Sequence, residues 1–260
     1  MSGHGLDGSK HEFALYAPDL GSFLIARGHG DSVVIKDPTL IHRIGTVLRL
    51  EVGESVLLFD QKLHAQCTLQ VVNKKEVTCI VAEKQENCVL QPAVTFFLPV
   101  LKKEDLEIAL YSLVELGATT VQLVTTTKSR HLGQKEREEK ELERLERIII
   151  AAAEQSKQFS FPCLQAPISF DQMLAYIQKK TQATALFFDP AGQSLFSIMK
   201  ELHAAKPTEV IALVGPEGDL TDQEKASLEQ AHVRFCKLTP TVLRSVQVVA
   251  VGMGVIRSVV

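Results

Sequence analysis

The stretch of this 260-residue sequence best suited to chemistry is Val214-Gly215-Pro216-Glu217-Gly218-Asp219-Leu220-Thr221-Asp222-Gln223-Glu224. An apolar run feeds straight into Gly-Pro-Glu-Gly. Gly215 and Gly218 permit positive φ and close backbone approach to a ligand. Pro216 stiffens the loop between them, and Thr221 with Glu224 forms a capping box that opens the next helix. A rigid loop with exposed amides beside a helix N-terminus suits a polar small molecule; an ordinary tight strand-to-helix connection would use the same residues without a ligand. Two further stretches have the same character: Leu238-Thr239-Pro240-Thr241-Val242-Leu243-Arg244-Ser245 and Asp189-Pro190-Ala191-Gly192. Three strand-end loops on one sheet edge could enclose one adenosine-like ligand.

Other chemistries lack their residues. No Gly-x-x-x-x-Gly-Lys-[Ser/Thr] run occurs, and Gly252-Met253-Gly254 lacks the third glycine and the later acidic residue of a dinucleotide fingerprint. His42, His64, His131, His203 and His232 show no metal-ligand spacing. Cys67, Cys79, Cys88, Cys163 and Cys236 form no Cys-x-x-Cys pair. Neither a metal site nor a disulfide framework is expected, and the thiols read as free in a reducing cytoplasm. A formal net charge of −3 argues against coating nucleic acid by bulk charge, so any RNA-binding surface must be a local basic patch. Met1–Lys10 is polar, without the apolar segment of a secretory signal, and reads as a disordered arm. No apolar run reaches the roughly 20 residues that span a bilayer; Ser245–Ile256 is uncharged but short.

The elements that must position these loops fall into two groups. Ser32–Ile35, Ser55–Phe59, Ala65–Val72 and Val77–Ala82 read as closely spaced strands, with turn signals at Val52-Gly53-Glu54, Asp60-Gln61-Lys62 and Asn73-Lys74-Lys75. Such spacing predicts a small barrel. Asn87–Pro92 reads as a linker. Beyond it strands and helices alternate: strand Val94–Val100, helix Glu104–Leu116 ending at Gly117, strand Thr120–Thr126 and a long charged helix Gln134–Lys157 with an apolar stripe of Leu142, Leu145, Ile149 and Ala152. Helix Phe170–Lys179, strand Ala185–Asp189, helix Ser194–Ala204, strand Val210–Val214, helix Asp222–Ala231 and strand Arg234–Leu238 follow. This α/β alternation predicts a mostly parallel sheet, whose ligands bind beyond the carboxyl ends of the strands. Thr241–Val260 allows either a strand, by its valines, or a buried helix.

The combination Val-Gly-Pro-Glu-Gly, then Leu-Thr-x-x-Glu, then Leu-x-Pro-x-Val-Leu-Arg resembles the SPOUT methyltransferases, and more closely the bacterial 16S rRNA uridine-N3 methyltransferase family. His42 through Val47-Leu48-Arg49 is similar to that family's amino-terminal barrel motif. Glu115-Leu116-Gly117 and Ala152-Ala153-Glu154-Gln155-Ser156 are similar to two of its helical stretches. The resemblance implies a PUA-like β-barrel followed by a trefoil-knotted parallel-sheet methyltransferase domain, with residues 1–12 as an arm, 13–90 as the RNA-binding barrel and 91–260 as the catalytic domain. It implies S-adenosyl-L-methionine as cofactor, held by Val214, Gly215, Pro216, Glu217, Gly218, Leu238, Thr239, Leu243 and Arg244. It also implies a homodimer acting on ribosomal RNA or the small ribosomal subunit, with the final segment a helix at the knot and the dimer interface. Five departures stand out: Asp219 where the family has a second glycine, Thr241 for an arginine, Ser245-Val246-Gln247 for Thr-Glu-Thr with loss of the carboxylate at Val246, Ser112 for a basic residue, and Lys157-Gln158 where an arginine is usual.

Methylation of a uridine N3 requires loss of the N3 proton and a base free of its stack or pair. Arg244 is the expected donor to the developing uracil anion; a salt bridge at the helix start is its structural alternative. Glu217 is the other catalytic candidate, as base or as orienter of the cofactor loop. Cys236, inside a strand, reads as a core residue. Arg43, Arg49, Lys62, Lys102, Lys103, Lys128 and Arg130 are candidates for phosphate contact on a surface combining barrel and catalytic domain. Two alternatives keep the fold: a non-catalytic RNA-binding homodimer, and a methyltransferase for another RNA site.

Overall fold

The computed structural model describes residues 12–24 and 30–259. The chain divides into two compact units after Asn87, within the stretch that reads as a linker. Residues 1–11 of the expected arm lie outside the described residues. Glu12 is described, and its Oε1 accepts a hydrogen bond from Gln66 Nε2 at 2.9 Å.

The first unit holds β1 (Phe13–Tyr16), α1 (Leu20–Leu24), β2 (Ser32–Ile35), α2 (Pro38–His42), a π-helical turn (Arg43–Val47), β3 (Ser55–Phe59), β4 (Leu63–Val72) and β5 (Val77–Glu86). Its sheet runs β1-β3-β4-β5-β2. Among the described residues of this sheet only the β1–β3 pair is parallel. Alternate residues point inward, as the two-residue strand period requires: Ala65, Cys67 and Leu69 on β4 and Val77, Cys79 and Val81 on β5 share one core with Leu15, Val33, Val56 and Leu58. The predicted turns are built by side chains. Asp60 Oδ1 accepts from the N–H groups of Lys62 and Leu63 at 2.7 and 2.9 Å, and Asn73 Oδ1 accepts from those of Lys75 and Glu76 at 2.8 and 3.0 Å. These Asx turns fix both hairpin registers. Sequence periodicity misses β1 and the helical segment at 38–47, since both are too short to show a period. A local signal does exist for α2: Asp37 caps Leu40 N–H at 2.7 Å, with Pro38 following at the first helical turn.

The second unit comprises β6 (Ala93–Pro99), α3 (Lys103–Glu115), β7 (Thr120–Thr125), α4 (Lys135–Ser156), β8 (Cys163–Ser169), α5 (Phe170–Lys179), β9 (Thr184–Ser194), α6 (Leu195–Ala205), β10 (Glu209–Val214), α7 (Asp222–Gln230), β11 (Arg234–Lys237) and α8 (Ser245–Val259). The strands order as β11-β9-β10-β6-β7-β8, and every pairing is parallel. From β6 the chain first builds outward through β7 to β8. It then crosses to the other side for β9, β10 and β11. The β6–β10 boundary is therefore a topological switch point, where a crevice opens beyond the carboxyl ends of the strands.

Two expectations are corrected here, and one open reading is decided as the resemblance implies. The chain forms an unpredicted strand, β8, which lies at the sheet edge and is largely exposed; an edge tolerates its Pro167 and needs no continuous apolar run. Asp189–Gly192 is not a free loop after β9. The strand extends to Ser194, and its pairing with β11 jumps from Phe187↔Phe235 to Gln193↔Cys236, so Phe188–Gly192 bulge opposite a single step of β11. A Cβ on Gly192 would lie 2.5 Å from Cys236 N, which explains why glycine closes the bulge. The ambiguous final segment is a helix. Val246, Val249, Met253 and Ile256 form its buried stripe, and Arg257 donates from Nη1 to Pro92 O at 2.8 Å and from Nη2 to Gly117 O.

Candidate functional site

At the switch point β10 delivers Val214 into the Gly-Pro-Glu-Gly loop. The capping box forms as the sequence predicts: Thr221 Oγ1 accepts from Glu224 N–H at 3.2 Å, and Glu224 Oε2 accepts from Thr221 N–H at 2.8 Å. Glu224 does more than cap. Its Oε1 also accepts from Thr127 N–H at 2.9 Å and from Thr127 Oγ1 at 3.0 Å, so one buried carboxylate ties the loop after β10 to the loop after β7. Burial pushes this carboxyl group up, but the hydrogen bonds from Thr127 and Thr221 outweigh burial and hold it below the ordinary value of 4.5.

The turn itself differs from expectation. Neither Gly215 nor Gly218 has positive φ; the left-handed residue is Asp219, with φ 58°. Its N–H bonds to Pro216 O at 2.9 Å. Gly215 is required for proximity instead, because a Cβ there would lie 3.0 Å from Asp219 Oδ1. Glu217 points back across the switch point and accepts from Lys102 N–H at 2.8 Å.

The loop after β11 completes the enclosure. Thr239 Oγ1 donates to Thr241 O at 2.7 Å. Arg244 sits at the start of α8, where its carbonyl accepts from Gln247 and Val248 N–H at 2.9 and 3.0 Å. Its Nε donates to Gln247 Oε1 at 3.1 Å. The helix-start contact is thus a hydrogen bond to an amide, and the terminal guanidinium nitrogens are not used by it.

These loops surround a cavity of about 420 Å³. Of the residues named from sequence, Val214, Gly215, Pro216, Glu217, Leu238, Thr239, Leu243, Arg244 and Lys102 line it. Gly218 does not; its carbonyl accepts from Lys128 Nζ at 3.1 Å. Sequence reasoning misses Asp105 on α3, Phe188 and Asp219, which also form the wall. The signal for Asp105 is its place in the first turn of the helix after β6, one strand from the Gly-Pro loop. The cavity lining combines four acidic residues (Asp105, Asp189, Glu217, Asp219), two basic residues, Lys102 and Arg244, and apolar residues that include Phe188, Val214, Leu238 and Val248. Cys236 also lines the cavity, but burial pushes its thiol up to about 12. It is a thiol, not a thiolate nucleophile, at neutral pH. Among the described residues no cluster of His, Cys, Asp and Glu could hold a metal ion, and no helix is long and apolar enough to cross a membrane.

The basic candidates for RNA contact are distributed between the units. In the first, Arg43 is half-buried at the start of the π-helical turn, Arg49 is exposed with φ 53°, and Lys62 is exposed. In the second, Lys102, Lys103, Lys128 and Arg130 are exposed. Arg130 follows β7, with its N–H on Val100 O at 2.9 Å.

Comparison with known proteins agrees with this architecture. A ribosomal RNA small subunit methyltransferase E from Bacillus subtilis is 28% identical over 209 residues, covering 79% of this chain and 82% of that one. Its Synechocystis counterpart is 26% identical over 222 residues, covering 84% and 70%. Among solved structures, the Neisseria gonorrhoeae enzyme of the same name, bound to S-adenosyl methionine, superposes with a TM-score of 0.81 at 21% identity, over 95% of this chain and 98% of that one. A Legionella pneumophila protein in complex with the same cofactor gives 0.81 at 23% identity, over 96% and 98%; these two likenesses speak to the fold. Residues 41–82 match the RNA methyltransferase PUA domain. Residues 89–256, most of the chain, match the RNA methyltransferase domain, and the protein belongs to that family.

Proposed function

We propose that the chain transfers a methyl group from S-adenosyl-L-methionine to N3 of a uridine in 16S rRNA, acting on the small ribosomal subunit as a cytoplasmic homodimer. The observation that carries this reading is the cavity at the β6–β10 switch point, enclosed by the loops after β10 and β11 within the part of the chain that matches the methyltransferase family. Its donor set fits the cofactor. The apolar lining residues suit an adenine ring, backbone amides of two rigid loops suit ribose and base edges, and a carboxylate excess suits a molecule carrying a sulfonium and an ammonium. When bound, the cofactor supplies an electrophilic methyl on sulfur.

This chain's own residues then have three tasks. The Gly215–Glu217 and Leu238–Arg244 loops orient the donor, and positioning supplies much of the rate gain in such a transfer. Arg244, which lines the cavity and whose two terminal guanidinium nitrogens lie outside the contact with Gln247, stabilises the uracil anion formed when N3 loses its proton. Glu217, occupied by Lys102 N–H, serves as loop orienter. The first unit brings RNA through Arg43 and Arg49, and the exposed Lys102, Lys103 and Arg130 add phosphate contacts beside the catalytic domain.

The homodimer reading is supported by apolar residues left on the surface of packed helices. Ile108 on α3 and Val251 on α8 are exposed although these helices pack together, and Val242 beside the cavity is 80% exposed. The trefoil knot is proposed with it: α8 follows the pocket-lining Leu238–Arg244 loop, and its Arg257 reaches back to Pro92 and Gly117. Mapping modified nucleosides in 16S rRNA from a deletion strain, with and without the gene restored, tests the reaction. Loss and recovery of one N3-methyluridine supports it. An unchanged map overturns it.

A further inference from the structure

The ammonium of Lys225, on the first turns of α7, lies 2.6 Å from Asp189 Oδ2 and 2.7 Å from Asp219 Oδ2. Both carboxylates line the cofactor cavity, but from different elements: Asp189 from the bulge of β9 and Asp219 from the loop after β10. We propose that Lys225 is a positioning residue for the methyl-donor pocket, bridging these two walls and fixing their separation and charge. The proposal rests on the reading of this cavity as the cofactor site.

Each end of the bridge is itself anchored. Asp189 is 4% exposed as a side chain, and its other oxygen accepts from Ala191 N–H at 2.7 Å, which holds the bulge in shape. Asp219 occupies a left-handed backbone conformation that side chains other than Gly, Asn and Asp rarely adopt. Its Oδ1 accepts from Leu220 N–H at 2.7 Å. One carboxylate oxygen therefore stabilises the local turn and the other binds Lys225. Asp219 is the more exposed partner, at 54% against 25% for Lys225, so the screened Asp219 contact adds direction more than energy. The Asp189 contact is the strong one, since removing a cation from a buried carboxylate leaves an uncompensated charge. Burial pulls the Lys225 ammonium down, but Asp189 and Asp219 outweigh it and hold it above the ordinary lysine value; the bridge stays charged across the physiological range. Without it the two walls would carry adjacent negative charges and separate.

The test uses the full chain and S-adenosyl-L-methionine, with calorimetry for binding, thermal melting for stability and steady-state kinetics for the KM and kcat split. Lys225→Met is expected to raise Kd and KM for the cofactor about tenfold, the equivalent of ~1.4 kcal/mol, with kcat changed far less. Lys225→Arg, which keeps the charge, is expected to recover most of the affinity. Asp219→Asn keeps the left-handed preference and removes the charge from an exposed position, so it tests the bridge even if Lys225→Met is unstable; it is expected to weaken binding about threefold. Combined with Lys225→Met it should cost nothing further and restore part of the affinity, because it removes one of the two adjacent charges that Lys225→Met leaves unpaired. Unchanged cofactor affinity in folded Lys225→Met, or in Asp219→Asn should Lys225→Met not fold, overturns the positioning role. So do losses that multiply independently, or a lower melting temperature with KM unmoved. A wild-type chain that does not bind the cofactor overturns the pocket reading itself, and the positioning role with it.

Discussion

The Glu217 carboxylate accepts a hydrogen bond from the Lys102 backbone N–H at 2.8 Å, joining the loop after β10 to the N-terminus of α3 across the switch point. A carboxylate so engaged serves the architecture of the pocket. Glu217→Gln keeps an acceptor oxygen and is expected to hold cofactor affinity within about threefold, the cost of trading a charge-assisted bond for a neutral one. Glu217→Ala removes the tie and is expected to weaken affinity about five- to tenfold, since a missing hydrogen bond costs about 1 kcal/mol. Calorimetry on both variants checks this. A Glu217→Gln protein with normal affinity but a collapsed transfer rate would instead make Glu217 a proton acceptor.

Glu224 predicts a pH dependence of stability. Its folded-state carboxyl group is held below the ordinary 4.5 by Thr127 and Thr221. A depressed group of this kind stabilises the fold fully above its unfolded value and loses that contribution as pH falls through the folded value. Glu224→Gln is expected to cost about 1.5–3 kcal/mol at neutral pH, the range for hydrogen bonds to a buried charged group. It is also expected to flatten the fall in stability below about pH 4.5. Denaturant titrations at pH 7 and pH 4 on both proteins measure this, and equal slopes with pH would refute it.

Gly192 predicts a packing penalty. A Cβ there meets Cys236 N and Phe235 C at 2.5 Å, and the obstructing atoms are backbone. Gly192→Ala must push β11 away from β9 and is expected to destabilise the protein by about 1–3 kcal/mol, as overpacking does. Cofactor affinity should fall with it, since Cys236 and Asp189 line the cavity. Gly254, with open space at its Cβ position, is the matched control; Gly254→Ala is expected to be neutral or slightly stabilising within its helix.

How far the sequence foretells this site depends on the range over which each signal acts. The capping box of Thr221 and Glu224, the Asx turns of Asp60 and Asn73 and the buried runs of β6 and β10 depend on neighbours within a few residues, and they are legible directly. The pocket loops show themselves because Gly-Pro and Leu-x-Pro end buried strands. The bulge at Phe188–Gly192 looks like a loop in sequence because its cause is the β11 backbone, distant along the chain. The roles of Gly215 and Gly218 are hidden for a related reason: the left-handed turn is taken by Asp219, a residue whose tolerance of it depends on a short polar side chain and on Lys225. Asp105 shows only its place in the first turn of the helix after β6; that place gains its relevance from the crossover that puts β6 beside β10. The helix of α8 is undecidable from its valines alone. Its burial at Val246, Val249, Met253 and Ile256 emerges only once it packs.

The last prediction concerns RNA. At a net charge of −3, affinity must come from local basic groups, and each phosphate contact releases counterions, so binding weakens with salt. Arg43 and Arg49 lie in the first unit, within the stretch that matches the PUA domain; the cofactor cavity is lined by the second unit alone. Charge reversal at both arginines is therefore expected to lower affinity for a 16S rRNA fragment at least tenfold while leaving cofactor affinity within about twofold. It should also reduce the slope of log affinity against log salt by about one for each phosphate that is no longer neutralised. Lys102→Glu and Arg130→Glu should weaken RNA binding through the second unit, with Lys102→Glu alone altering cofactor affinity because only it lines the cavity. Filter binding at several salt concentrations, paired with calorimetry, separates the two effects. If reversal at Arg43 and Arg49 leaves both the affinity and the salt slope unchanged, the first unit does not carry the RNA.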